Sequence, residues 1–187
     1  AGECFNRKTS LYNGNLHLNL CKGETLDGWA QLFAIWIPDE LRGENALVYF
    51  ENVLTNFKNE VTENNSKIQL CQGISDLEEA HENGECAAIL TCEGGSPFAQ
   101  NDNIYLAKEH GVKLITLTWN MENELGYGCQ SGVDFGLKSE GKALVKQMEK
   151  LNIAADVSHL NRAGFYDAIS SGAKVIASDS NSETVLK

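Results

Sequence analysis

Residues 139–179 read SEGKALVKQMEKLNIAADVSHLNRAGFYDAISSGAKVIASD. The stretch alternates two kinds of pattern. Over 139–151, Leu144, Met148 and Leu151 fall on one face at helical spacing. Residues 152–158, NIAADVS, are mostly apolar and too short for a packed helix, so they read as a strand. Residues 161–172 form a second helical pattern, opened by Asn161 as N-cap and closed by Gly172. KVIAS, 174–178, is a second strand, with Val175, Ile176 and Ala177 read as buried. Helix and strand in alternation, with short connections, require right-handed crossovers and a parallel sheet.

The same rhythm extends upstream. VKLITLTW (112–119) and CAAILTC (86–92) are apolar strands. DNIYLAKEHG (102–111) is a helix with Asp102 as cap and Gly111 as stop. GWAQLFAIWI (28–37) is another strand, and NALVYFENVLTNFKNEV (45–61) a long amphipathic helix. SDLEEAHENG (75–84) carries a capping-box pattern, Ser75 with Glu78. The pattern predicts parallel strands at 29–37, 87–92, 113–119, 153–158 and 174–178, with KIQLC (67–71) as a short addition. The runs are nearly continuous in apolar residues, as expected of strands covered on both faces. The expected fold is α/β, one domain over 1–187, either an open doubly wound sheet or part of a (β/α)8 barrel. No Gly-x-Gly-x-x-Gly follows a strand and no P-loop occurs, so a nucleotide site has no support.

Composition narrows the partners. The chain of 187 residues has a formal net charge of -11 and a pI near 4.8. That field repels nucleic-acid phosphates and anionic lipid. No apolar run approaches membrane-spanning length, and AGECFNRKTS at the start lacks the apolar core of a signal peptide. Six dispersed cysteines, none in a C-x-x-C pair, read mostly as reduced core thiols. A cytoplasmic protein is expected.

In parallel α/β folds chemistry gathers at the carboxyl ends of strands. Here those ends carry Glu93 before Gly94-Gly95, Trp119-Asn120, His159 and Asp179. A neutral imidazole with carboxylates is a zinc-type donor set. The two glycines after Glu93 allow a sharp turn and close backbone approach. Trp119 reads as a pocket wall, and the glycine-rich stretch 123–132 as a loop over the site. His17, His81 and His110 read as structural or solvated.

At these residues the sequence resembles the renal (membrane) dipeptidase family of zinc metallopeptidases. The matching runs are ILTCEGG, GVKLITLTWNMENELGYG, GLKSEGKALVKQMEKLNIAADVSHLNRAGFYDAI and KVIASDSNS, in family order. LYNGNLHLNL and WAQLFAIWIP resemble the family's N-terminal region. The resemblance implies a (β/α)8 barrel that hydrolyses dipeptides at a two-zinc site. It implies that Glu93 bridges the metals and that His159 binds one of them. Asp179 stands where the family has a second histidine, and Trp119 where some members carry one. The family's opening His-x-Asp ligand pair would lie before Ala1, and its substrate-binding arginine and catalytic aspartate beyond Lys187.

On these grounds Glu93, His159 and Asp179 are expected to bind metal, one zinc or none, and Trp119 and Asn120 to border a dipeptide or similar small amide. Three functions stay open: a metallodipeptidase or part of one, a non-catalytic homologue serving as a binding module, and another barrel-type metal-dependent hydrolase. Five strands cannot close an eight-stranded barrel. A further segment, or association of copies, is therefore expected to cover the sheet edges.

Overall fold

The structure is a computed structural model that describes residues 1–26, 28–100 and 102–180. The last two residues of the KVIASDSNS run, 181 and 182, lie outside the described residues. The elements in chain order are α1 (Gly2–Arg7), α2 (Leu20–Gly23), β1 (Trp29–Trp36), α3 (Gly43–Glu63), β2 (Ile68–Leu70), α4 (Ile74–Glu82) and β3 (Cys86–Glu93). After a 3-10 turn, Ser96–Phe98, follow α5 (Ile104–Glu109), β4 (Leu114–Thr116), α6 (Ser139–Leu151), β5 (Ala154–Asp156), α7 (Arg162–Ser170) and β6 (Val175–Ile176). Among the described residues no helix is long and apolar enough to cross a membrane.

Packing divides the chain into two compact units. The first comprises Ala1–Trp36 and Val48–Thr91. In it β2 pairs in parallel with the start of β3, Ile68 opposite Cys86, and β1 also borders β3. The helix α3 presents Phe50, Val53, Leu54 and Phe57 at helical spacing, all buried. Phe57 meets Phe33 of β1 with ring centroids 5.1 Å apart. Fully burying one such side chain contributes about 2 kcal/mol.

The second unit comprises Ile37–Leu47 and the chain from Cys92 onward. In it β4, β5 and β6 lie side by side and parallel, Leu114 opposite Ala154 and Ala155 opposite Val175. Helix α6 runs over 139–151 as its periodicity requires, and buries Leu144, Val145 and Met148. Asn161 caps α7, its side chain accepting from the Gly164 N–H at 2.9 Å.

Several local expectations are corrected. Asp102 does not cap α5; it sits at φ 57°, Asn103 holds the cap position, and no side chain closes it. In α4 the Ser75–Glu78 box does not form. Asp76 does that work, its carboxylate accepting from the Gln72 and Gly73 N–H groups at 2.6 and 3.0 Å. Ser75 already lies inside the helix, where its hydroxyl cannot reach the first free amides. The strand at 174–178 shrinks to two residues, and it is not buried: Ile176 is 43% exposed. Among the described residues β6 ends the strand order, with no strand paired on its outer side. The segment 67–71 does supply a strand, β2, which makes six among the described residues.

The cysteine reading holds. All six are free, and Cys4, Cys71, Cys86 and Cys92 are buried. Burial pushes the Cys86 thiol up to about 12, where it stays protonated and unreactive.

Candidate functional site

Every residue singled out at a strand end lies in the second unit, and the backbone shows how each is placed. The end of β3 is held on both sides: Ile37 N–H donates to the Glu93 carbonyl at 2.8 Å, and Gly94 N–H to the Thr116 carbonyl at 3.0 Å. Gly94 turns at φ 97°, a conformation that L side chains rarely adopt. A Cβ on Gly95 would lie 2.5 Å from a Leu125 methyl. The paired glycines therefore let the chain turn away directly after Glu93 and aim its carboxylate off the strand.

His159 follows β5 with φ 66°, a left-handed conformation that is uncommon for any residue with a Cβ. Neighbours on three sides hold it there. Its carbonyl accepts from Cys129 N–H at 2.7 Å, the Ser158 N–H before it is bound by Asp156, and its ring Nδ1 lies 3.2 Å from Asn120 Oδ1. The 123–132 stretch is thus an ordered loop tied to the His159 backbone. It is closed by the Asn123 side chain, which bonds Leu117, Leu125 and Gly126.

The structure brings Glu93, His159 and Asp179 together on one atom. His159 Nε2 lies 3.1 Å from Glu93 Oε1 and 3.6 Å from Asp179 Oδ2. Yet Nε2 is fully buried and makes no hydrogen bond of acceptable geometry. Nδ1 faces the Asn120 amide oxygen, so Nε2 is the ring nitrogen turned to the two carboxylate oxygens, and these three atoms together need a proton or a cation among them. The donor set, one imidazole nitrogen and two carboxylates, suits a divalent cation. The Asp179 side chain is 79% exposed, so one side of the group opens to solvent. Among the described residues, however, no three or more His, Cys, Asp or Glu side chains already stand at metal-binding geometry.

Electrostatics agree with the crowding. Burial pushes the Glu93 carboxyl above its ordinary range; His159 opposes the rise, while Asp179 and Asp156 add to it. Trp119 is half-buried with its ring centroid 6.3 Å from the His159 ring, and Asn120 reaches His159 directly. Of the other histidines, His17 and His81 belong to the first unit and His110 follows α5.

Two carboxylates of this region are additional to those singled out from the sequence. Asp39, just past β1, accepts from Met121 N–H at 3.2 Å, and burial raises its pKa against the pull of Arg42. It obeys the strand-end rule that found Glu93, and Pro38 before it marks the end of the strand. Asp156 is only 1% exposed and is the last residue of β5, three residues before His159. Its one signal was a charge inside an otherwise apolar strand.

A parallel α/β sheet that gathers a histidine and carboxylates at its strand ends has the arrangement of barrel-type metal-dependent hydrolases. The comparisons with known proteins are narrower. The family model described as membrane dipeptidase (peptidase family M19) matches residues 5–187. The chain belongs to that family.

Among curated relatives, an uncharacterised protein in the PQQ-III 3' region of Acinetobacter calcoaceticus is 23% identical, over 92% of this chain and 62% of its own. The dipeptidase tcpJ of Claviceps purpurea is 23% identical, over 64% of this chain and 29% of its own. Among solved structures, a metallopeptidase from Rhodobacter sphaeroides, liganded with a phosphinate mimic of the dipeptide L-Ala-D-Ala, superposes with a TM-score of 0.80. It is 22% identical, with 94% of this chain and 61% of that one covered. That likeness shows the fold, α/β with parallel strands. The chain spans about three-fifths of the length of the first of these relatives and of that solved structure.

Proposed function

We propose that the protein is a metal-dependent hydrolase of the dipeptidase type, in which Glu93, His159 and Asp179 hold a zinc ion and Trp119 and Asn120 border a dipeptide substrate. Family membership supports the reaction class. The observation that carries the site is the buried His159 Nε2, without a hydrogen bond and faced by two carboxylates at 3.1 and 3.6 Å.

When bound, zinc would supply a Lewis acid for the scissile carbonyl and an activated water. The chain's own residues do the rest. Asn120 fixes the imidazole so that Nε2 faces the carboxylates. Glu93, pushed up by burial, brings a negative charge that a cation rewards. Asp179 leaves an open side from which a small substrate can enter. Trp119 gives that side an apolar wall. An oxygen donor at 179 shifts preference toward harder ions than a histidine there would.

A second reading, a non-catalytic homologue, is favoured by Asp179 standing where the family resemblance implies a histidine. One experiment separates them. Chelator-stripped protein is titrated with zinc by equilibrium dialysis, then assayed on a panel of dipeptides. The site predicts about one ion per chain, bound more weakly after Glu93→Gln and after His159→Gln. Turnover lost in Glu93→Gln supports the hydrolase; zinc binding without turnover supports the non-catalytic homologue. Zinc retention unchanged by both substitutions removes the site.

A further inference from the structure

The carboxylate of Asp156 is buried beneath the site, 1% exposed. All four of its acceptor positions are filled. Oδ2 accepts from Thr116 Oγ at 2.7 Å and from Ser178 Oγ at 2.6 Å. Oδ1 accepts from the backbone N–H groups of Ser158 and Ser178, both at 3.1 Å. These donors come from β4, from the chain just past β5 and from the chain just past β6. Charge-assisted bonds of this kind are the stronger class and set direction as well as distance. They also keep the group ionised at lower pH: burial pushes Asp156 up, but the bonds from Ser178, Thr116 and Ser158 outweigh burial and hold it below the ordinary range.

The two backbone amides held by Asp156 belong to the residues immediately before His159 and Asp179. The arrangement closes on itself, because Ser158 Oγ accepts from the Asp179 N–H at 2.9 Å and lies 3.3 Å from Ser180 Oγ. One buried carboxylate therefore sets the departure of two neighbouring chains from the sheet, each of which carries a group of the candidate site in its next residue.

We infer that Asp156 is a positioning residue for the metal site. It touches neither substrate nor metal, and it acts by fixing Ser158 and Ser178 so that His159, held at φ 66°, and Asp179 converge. The inference rests on the proposed zinc-binding role of those two residues. It goes beyond that role in assigning their convergence to a group below them. Partners behind metal ligands commonly contribute 10–100-fold to affinity.

The test uses the full chain and three variants. Asp156→Ala strands two buried amides and is expected to weaken zinc binding 10–100-fold. Asp156→Asn keeps an oxygen for both amides, and its NH2 can donate to hydroxyls turned to accept; it is expected to restore most of the affinity. Leu144→Ala opens a cavity under α6, where Leu144 is 2% exposed. It should destabilise the fold without changing zinc affinity.

Amide hydrogen exchange at Ser158, Ser178 and Asp179, read by NMR in the absence of metal, gives an independent readout. It should accelerate in Asp156→Ala alone. Equal affinity losses in Asp156→Ala and Leu144→Ala, or unchanged exchange at these amides in Asp156→Ala, overturn the inference. If exchange accelerates only in Asp156→Ala while wild type binds no zinc, the positioning role stands and the metal reading falls.

Discussion

Asn161 offers the sharpest stability test, because its three hydrogen bonds can be separated by chemistry. It is 6% exposed. Its Oδ1 accepts from Gly164 N–H at 2.9 Å and so caps α7. Its Nδ2 donates to the carbonyls of Val133 at 3.1 Å and Phe135 at 2.9 Å, tying the loop before α6 to the start of α7. Losing an N-cap costs about 1 kcal/mol, and each neutral hydrogen bond adds about 1 kcal/mol. Asn161→Ala should therefore cost about 3 kcal/mol. Asn161→Ser keeps the cap and should cost about 2 kcal/mol by the same bond values. Asn161→Asp also keeps the cap but sets a carboxylate oxygen against two carbonyls, so it should cost more than Ser. The assay is urea denaturation with the slope checked for constancy, so that midpoints report stability. A loss below about 1 kcal/mol for Ala, less than one cap and one bond together, would refute the reasoning. So would a Ser variant as stable as wild type, because the loop ties would then contribute nothing.

Three further outcomes follow from the same geometry. Burial holds Glu93 above its ordinary pKa, so in metal-free protein its contribution is fully present below the unfolded-chain value and is lost as pH rises through the native one. Glu93→Gln should therefore be the more stable protein at pH 8 and lose that advantage in acid; the opposite order in thermal melts would remove the burial argument. Asp156 lies below its ordinary value, so its contribution is present above that value and fades as pH falls through the native one. Stability curves of wild type and Asp156→Asn should therefore approach one another in acid. Gly141→Ala in α6 would put a Cβ 2.1 Å from the Leu125 carbonyl oxygen. The overpacking, about 1–3 kcal/mol, should exceed the helix-propensity gain of at most about 1 kcal/mol, and a stabilised variant in chemical denaturation would contradict the placement of that helix.

The parts of the fold that were legible in the sequence are those fixed by neighbours in the chain. The bounds of α6 follow from apolar residues at helical spacing and need no knowledge of the sheet. Asn161 was readable as a cap because its partner Gly164 is three residues on. Asp102 and Ser75 misled because each is a good capping residue close to a helix start, and a positive φ in one case and a better-placed Asp76 in the other decide the matter. The exposure of β6 was not legible: Val-Ile-Ala looks the same whether or not another strand lies beside it. Glu93, His159 and Asp179 were singled out by a rule about strand ends, and His159 Nε2 lies 3.1 Å from Glu93 and 3.6 Å from Asp179. Asp156 escaped because its meaning lies in Thr116 and Ser178, which are 40 and 22 residues away along the chain.

The left-handed backbone at His159 bears on how this chain would drift under selection. Glycine reaches that conformation freely, whereas histidine, like other residues with a Cβ, holds it at a local cost of order 1–3 kcal/mol. A population propagated in the laboratory for heat tolerance alone, with no demand on chemistry, would be drawn toward Gly at 159. One propagated for turnover would keep the imidazole and accumulate its stabilising changes elsewhere. The residue at this one position would thus record which of the two demands the population had met.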